Sequence, residues 1–390
     1  MTVAAIILAA LCWMSATDRM AKSTYFGGSA AARQAFEALS ENDPKTALAQ
    51  ARHAVRTAPI DPASTSALGS SLLVLGRSEQ AYAAFVVAGE LGWREIPTQL
   101  YWLAQATTGG DVDVFAQRLD ALLRLNIDNE TVNNSLHLME QTPTGQAALA
   151  ALLSTSPPWE RTFLIATGGL EGNNLDGQIA AIGLAAENGA QLDCDAVGVA
   201  VAQLISDGRL LEAKHLWQRA CDQAGNADVT DGFFEADDTK RSANPLDWKL
   251  LAQAGLDVDV MPAPRPLHGN ALRIQSSLTV HATAAKQLLA LPPGRYRLSW
   301  VTARADGKPD DTIIVALRCN GRESIETSDR GSRQGQGALK TFSVPSQGCP
   351  FQTIEIQKAA SDSGRQQTGW IDDVQIMPLD TGSTGGDGAG

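Results

Sequence analysis

With 390 residues, a formal charge of −12 and 44% hydrophobic residues, the chain is long enough for two or three domains and solvated enough to be a globular protein. Asp and Glu number 43 against 31 Lys and Arg, which removes the basic footprint of a nucleic-acid binder. Five cysteines, none in a CxxC pair, exclude a disulfide-scaffolded miniprotein and a zinc ribbon.

Residues 1–17 open with MTVAAIILAALCWM, which carries no charge before Asp18 and Arg19. The run is shorter than the about 20 residues that span a bilayer and matches the apolar stretch of a signal peptide, although a positive leader is missing. Cys12 follows Leu11, where a lipoprotein site needs a small residue. The alternative is the buried first helix of a soluble fold. The polar DRMAKST that follows favours a linker leaving a membrane, so a signal-anchor or signal peptide is expected. The rest would then be exported, as an inner-membrane-anchored or secreted periplasmic protein.

Alanine is abundant from there to about residue 225, as in closely packed helices. LGRSEQAYAAFVVAG at 75–89 and DGRLLEAKHLWQRAC at 207–221 share one register. Gly76, Ala81, Phe85 and Ala88 are spaced like Gly208, Ala213, Trp217 and Ala220. A glycine that ends one helix, small residues that admit a neighbouring helix, and an aromatic that fills the gap one turn on solve one packing problem twice. Ala47 and Ala81, Ala54 and Ala88, and Ala35 and Gly69 recur at an interval of 34. Further on, Pro143 suits a helix start, Asn174 or Asp176 an N-cap, and Gly189 a helix stop.

Leu68, Gly69, Gly76, Ala81, Phe85 and Ala88 resemble the tetratricopeptide-repeat pattern, with Ala35, Ala47, Ala54 and Pro59 as a weaker copy before them. The resemblance implies a TPR-like α-solenoid of about six helical hairpins over 29–224, holding a protein partner on its concave face. The alternative is a helical bundle without repeat symmetry. The Lys, Asn and Arg set that clamps chaperone tails in that family has no match here. The basic group Arg52, His53 and Arg56 reads as a solvated helix face.

Near residue 225 the hydrophobic period changes from helical to two. ALRIQSSL, GRYRLSWVTAR, DTIIVALRCN, ALKTFSVP, FQTIEIQKA and WIDDVQIMP read as antiparallel strands over 229–379, while the segment from 225 to 270 reads as loop. In GRYRLSW, Tyr296, Leu298 and Trp300 share one face and Arg295, Arg297 and Ser299 the other. Ile313, Val315, Leu317 and Cys319 line up in the same way. This is the pattern of an antiparallel β-sandwich.

The opening Phe233-Phe234-Glu235, the central Pro293-Gly294-Arg295-Tyr296 and the closing Ile371-Asp372-Asp373-Val374 resemble the jelly-roll β-sandwich of carbohydrate-binding modules and galactose-binding-like domains. That resemblance implies glycan contact. Trp370 alternates away from Ile371 and is expected as an exposed platform for a sugar ring. Arg297 and Arg318, read as lying on polar faces of adjacent strands, are candidates for an acidic glycan. Tyr296 and Trp300 read as core, and Trp248 as cover for a sandwich edge. Glu235 and Asp373 are candidates for the structural calcium that many such domains bind. The alternative is carboxylates satisfied by backbone amides.

Cys194 and Cys221 bracket one helical hairpin about equally far from its turn. Cys319 ends one strand and Cys349 precedes another, so both pairs can form disulfides in an oxidising compartment, with Cys12 left over; the alternative is that each cysteine is a small buried hydrophobe. The five histidines stand at no metal-ligand spacing, and no G-x-S-x-G elbow, P-loop or dinucleotide fingerprint occurs. Asp237-Asp238, Asp310-Asp311 and Asp372-Asp373 read as turn-formers, and the glycine-rich tail 380–390 has little to bury. The expected function is a non-catalytic envelope adaptor, membrane-tethered. Its helical array would bind an envelope protein and its sandwich a polysaccharide, in exopolysaccharide synthesis or export. The alternatives are a purely structural subunit and a carbohydrate-active enzyme using Glu235 or Asp237.

Overall fold

The computed structural model describes residues 29–127, 130–221, 228–235, 244–329, 337–361 and 364–379. The expected signal segment 1–17, the tail 380–390 and the pair Asp237-Asp238 lie outside these residues. Among the described residues, twelve helices precede eleven strands, and no helix is long and apolar enough to cross a membrane. The chain divides into two compact units, residues 1–160 with 171–190, and residues 161–170 with 191–390.

The first unit is built from α1 (Ala30–Ser40), α2 (Pro44–Thr57), α3 (Pro62–Val74), α4 (Ser78–Leu91), α5 (Ile96–Gly109), α6 (Val112–Arg124), α7 (Glu130–Glu140), α8 (Pro143–Leu153) and α10 (Gly172–Glu187). Their starts are written in local chemistry. Ser29, Asp43, Asp61, Asp111 and Thr142 each accept a backbone N–H of the following turn, and Pro44, Pro62 and Pro143 occupy the first helical position. Gly76 ends the α3 segment at φ 72°, a conformation a side chain would strain. Neighbouring helices pair as hairpins, α1 on α2, α3 on α4, α5 on α6 and α7 on α8. The spacing is regular. Pro44, Ser78 and Val112 open α2, α4 and α6 at intervals of 34, and Pro62, Ile96 and Glu130 open α3, α5 and α7 at the same interval.

The aromatic expected to fill the gap between paired helices does so. Ala81, Phe85 and Ala88 are buried along α4, and a Cβ added at Gly69 of α3 would stand 3.0 Å from the Phe85 ring. Phe85 stacks on Tyr101 with ring centroids 4.1 Å apart, and its carbonyl accepts the Trp102 indole N–H at 3.2 Å. Burying such a ring is worth roughly 2–3 kcal/mol. One cap expectation is corrected. α10 begins at Gly172 after Glu171, so Asn174 and Asp176 lie inside the helix, because the turn at Gly172 (φ 56°) lets it start earlier. Gly189, at φ 81°, does end it.

The second unit contains α11 (Cys194–Ser206) and α12 (Leu210–Ala220), joined by the Cys194–Cys221 disulfide with Cα atoms 5.6 Å apart. Their connection turns at Gly208 (φ 76°). The short helix α9 (Glu160–Ala166) lies almost wholly within the same unit. Two antiparallel sheets follow and face each other as a β-sandwich. Five strands run in the order β1 (Lys249–Leu250), β4 (Ala282–Leu289), β10 (Gln352–Lys358), β6 (Ile313–Cys319) and β7 (Glu323–Ser324). Six run in the order β2 (Leu256–Pro262), β3 (Asn270–Ser276), β11 (Gln367–Pro378), β5 (Gly294–Ala303), β9 (Gly337–Val344) and β8 (Thr327–Asp329).

Alternation fills the space between them. Leu256, Leu272, Ile274, Ile371, Tyr296, Leu298, Trp300 and Phe342 from one sheet meet Leu289, Ile313, Val315, Leu317, Ile354 and Ile356 from the other. Trp248 packs against this core beside Phe234. The six strands expected from the sequence all form. The loop reading of 225–270 is corrected by β1 and β2, and β4 was not foreseen. ATAAKQLL has the composition of a helix, but Ala282, Ala284, Ala285 and Leu289 reach the common core once the segment lies between β1 and β10.

One charged pair is sealed in this unit. Lys358 donates to Asp310 at 2.6 Å, with the two side chains 1% and 2% exposed. Thr312 donates its N–H and hydroxyl to the other Asp310 oxygen. Burial holds the Lys358 ammonium below its usual pKa despite that partner. Asp310 is therefore more than the turn-former its sequence suggested. The second disulfide, Cys319–Cys349, joins the end of β6 to the loop before β10, with Cα atoms 5.4 Å apart.

Candidate functional site

The sandwich offers three places where side chains of chemical interest gather. At one end, the opening segment meets the closing strand. Val374 donates its N–H to the Gly232 carbonyl at 2.9 Å, and a Cβ at Gly232 would overlap the Val374 carbonyl. This contact brings Glu235 and Asp373 near Asp231 and Asp372. Burial first, and then the charges of Asp373, Glu235 and Asp231, push the Asp372 carboxyl up to about 6. Each carboxylate already has a donor. Asn270 N–H binds Glu235 Oε1 at 3.0 Å, Glu235 N–H binds Asp231 Oδ1 at 2.9 Å, Asp373 N–H binds Asp372 Oδ1 at 2.7 Å, and Gln375 binds Asp373. Among the described residues no three His, Cys, Asp or Glu side chains converge closely enough to hold a metal ion. Glu235 and Asp373, the calcium candidates, belong to no such group. Three of these four carboxylates are satisfied by backbone amides.

The outer face of the six-stranded sheet carries Trp370 and Arg297. Arg273 stands between Asp259 and Trp370 in register, and its guanidinium forks onto Asp259 with two bonds of 2.7 Å. Trp370 is not the open platform expected. It is half-buried against Leu267, Ala271 and Ala303, and its indole N–H is shielded without an acceptor. The loop carrying Leu267 lies over the strand, which alternation within β11 does not reveal. Arg297 is exposed, one strand position from the core residue Tyr296, and is paired in register with Met377 and Thr341.

Arg318 is elsewhere. β5 and β6 are consecutive in the chain but belong to different sheets, so Arg297 and Arg318 lie on opposite outer faces and cannot serve one ligand. Arg318 points out from the five-stranded sheet and binds Glu355 at 2.9 Å. On that face lies a cleft of about 180 Å³ lined by Pro245, Asp247, Lys249, Lys286, Leu288, Gly321, Thr353 and Glu355 among others. Its floor is read from the register. Lys249, Lys286 and Glu355 form one row across β1, β4 and β10. Leu288, Thr353 and Arg318 form the next row, across β4, β10 and β6. Sequence reasoning singled out only Arg318 from these rows. The others are ordinary polar residues of strands, and only strand pairing gathers them.

No protein-family model and no curated protein matches the chain. Among solved structures, the enzymatically active domain of tailspike protein 4 of bacteriophage CBA120 is 13% identical over 39% of this chain and 21% of that one, with a TM-score of 0.27. The chain therefore spans about a fifth of the length of that tailspike domain. TmCBM61 in complex with β-1,4-galactotriose is 16% identical over 40% of this chain and all of that one, with a TM-score of 0.25. A CBM4 structure is 16% identical over 35% of this chain and 97% of that one, with a TM-score of 0.24.

Proposed function

We propose that the β-sandwich is a non-catalytic glycan-binding domain and that its contact surface is the outer face of the five-stranded sheet. The observation that carries this reading is the cleft where Thr353, Asp247, Lys249, Lys286 and Glu355 stand around the apolar Leu288, with Pro245 as the other apolar side chain of the lining. A sugar ring has an apolar C–H face and an edge of hydroxyls that both donate and accept. A shallow site with a small apolar floor and interleaved donors and acceptors matches that chemistry.

The helical unit is, in this reading, a tetratricopeptide-like array that holds a protein partner. The 34-residue recurrence of helix starts supports it. Residues 1–17 tether the protein to the inner membrane, and the two disulfides support an oxidising, periplasmic location. The whole would be an envelope adaptor that brings a polysaccharide to a protein machine for its synthesis or export.

Affinity electrophoresis of the full chain through gels containing a panel of neutral and acidic polysaccharides tests the glycan part. Retardation by at least one polymer, weakened by Leu288→Asp, is expected. Unretarded migration through every gel sinks it. A purely structural role is favoured by one observation, that the cleft lining includes no aromatic ring among the described residues. That role predicts the unretarded outcome.

A further inference from the structure

We infer that this cleft selects an anionic glycan, whose carboxylate or sulfate group sits between the ammonium groups of Lys249 and Lys286. The inference rests on the glycan-binding reading above and names the chemistry of the ligand at the same site.

The argument begins with strand register. Lys249 of β1 and Lys286 of β4 are direct cross-strand partners, and both are exposed. Like charges directly opposite each other in an antiparallel pair destabilise it. A sheet normally relieves such a pair with an acid alongside. Two acids line the cleft, and both are engaged elsewhere. Glu355, the partner of Lys286 on its other side, accepts from Arg318 Nε at 2.9 Å and Gln357 Nε2 at 2.7 Å through the same oxygen. Asp247 accepts from Asn244 Nδ2 at 2.8 Å. Among the described residues neither lysine has an acid within ion-pair distance or any other polar partner.

Each carboxylate of the cleft therefore already has a donor, while the two lysines have no partner among the described residues. Arg318, in the adjoining row beside Thr353 and Leu288, is paired with Glu355 and so keeps that acid from offsetting the lysines. An anion bound between the lysines removes their mutual repulsion and leaves Leu288 and Thr353 to meet the ring of the same residue. A neutral sugar leaves the repulsion in place. The anion is the discriminating group, supplied by a uronic acid or by a sulfate ester.

The test compares polymers that share a backbone and differ in charge. Polygalacturonate is set against its fully methyl-esterified form, and dextran sulfate against dextran, by affinity electrophoresis of the full chain. The expected result is that one anionic polymer binds at least about tenfold more tightly than its neutral counterpart, with binding that weakens as salt rises. Which anion does so separates carboxylate from sulfate. The double variant Lys249→Gln/Lys286→Gln should lose about tenfold or more. Arg295→Gln, which removes a cation of the other sheet, should not. The three side chains are exposed, so Arg295→Gln is expected to unfold at the wild-type temperature and the double lysine variant at or slightly above it, since the cross-strand repulsion is gone, and circular dichroism checks this. Equal binding of charged and neutral polymers, or full binding by the lysine variant, overturns the inference while glycan binding stands. Retention of no polymer of either kind overturns the glycan-binding reading itself.

Discussion

Gly369→Ala should damage the sandwich far more than its size suggests. Gly369 lies on β11, and an added Cβ would overlap Asp310 Oδ2 and meet Lys358 Nζ at 2.9 Å. A side-chain end can usually swing away from such a clash, but here neither end is free. Asp310 is tied through its second oxygen to Thr312, and both members of the ion pair are at most 2% exposed. The methyl group must either part the pair or push β11 away from its neighbours. Breaking a buried ion pair costs about 3–5 kcal/mol. Replacing glycine by alanine in a strand returns about 0.5–1 kcal/mol of backbone entropy. The net expectation is a loss of roughly 2–4 kcal/mol, or about 5–15 °C in the melting of the sandwich. Near-UV circular dichroism through the sandwich tryptophans, with denaturant as well as heat, gives the measurement. Asp310→Asn provides the comparison, since it leaves Lys358 buried without its counter-charge, and should cost a similar amount. A Gly369→Ala protein within about 0.5 kcal/mol of wild type would refute the reasoning, because it would mean the pair is mobile and not sealed.

The helical unit yields two further expectations. Glu95 is 8% exposed and its carboxyl is pushed up to about 7 by burial and by the nearby charge of Asp61. An acid whose folded pKa exceeds its unfolded value stabilises the fold below the unfolded value, and that stability is lost as pH rises through the folded one. Helical stability should therefore fall between about pH 4.5 and pH 7, by up to about 3 kcal/mol. Glu95→Gln should flatten that profile in denaturant melts across pH, and an unchanged slope would count against it. Phe85→Ala should cost about 3–5 kcal/mol by opening a cavity beneath Tyr101, whereas Gly69→Ala should cost about 1–3 kcal/mol by pressing on the same ring. If the two changes are combined, the added methyl partly fills the space left by the ring. The double variant should then be less damaged than the sum, as a thermodynamic cycle would show.

Much of the fold was readable because local chemistry and tertiary packing agree over most of the chain. The helix caps and first-turn prolines are visible as Asp-Pro and Asn-Asp-Pro strings, and Gly76 and Gly208 announce their turns. That Phe85 fills the gap between two helices was implied by a spacing alone, whereas Gly69 as the small residue facing its ring emerges only from the packing. Agreement fails at β4. Its alanines and Leu288-Leu289 satisfy a helix as well as a strand, and only the partners on either side decide. It fails again at β2, where Leu256, Val258 and Val260 alternate with two aspartates inside a stretch otherwise rich in turn residues. That alternation was present in the sequence and was outweighed by its surroundings.

The candidate site was far less legible, for a reason of topology. Strand alternation tells which side of its own sheet a residue faces, so Arg297 and Arg318 were correctly turned outward. It does not tell which sheet a strand joins. β5 pairs with β9 and β11 while β6 pairs with β10, and that single fact moves the two arginines to opposite outer faces of the sandwich. The same limit hid the lysines. Lys249 sits on a two-residue strand and Lys286 on a strand that composition disguises, yet antiparallel pairing sets them face to face. Their isolation from acids then depends on a third event, the capture of Glu355 by Arg318 and Gln357 from neighbouring positions. A charge that is unpaired on a sheet is thus a property of several strands at once. Each strand alone shows a polar outward position of the most ordinary kind, and the binding preference exists only in their register.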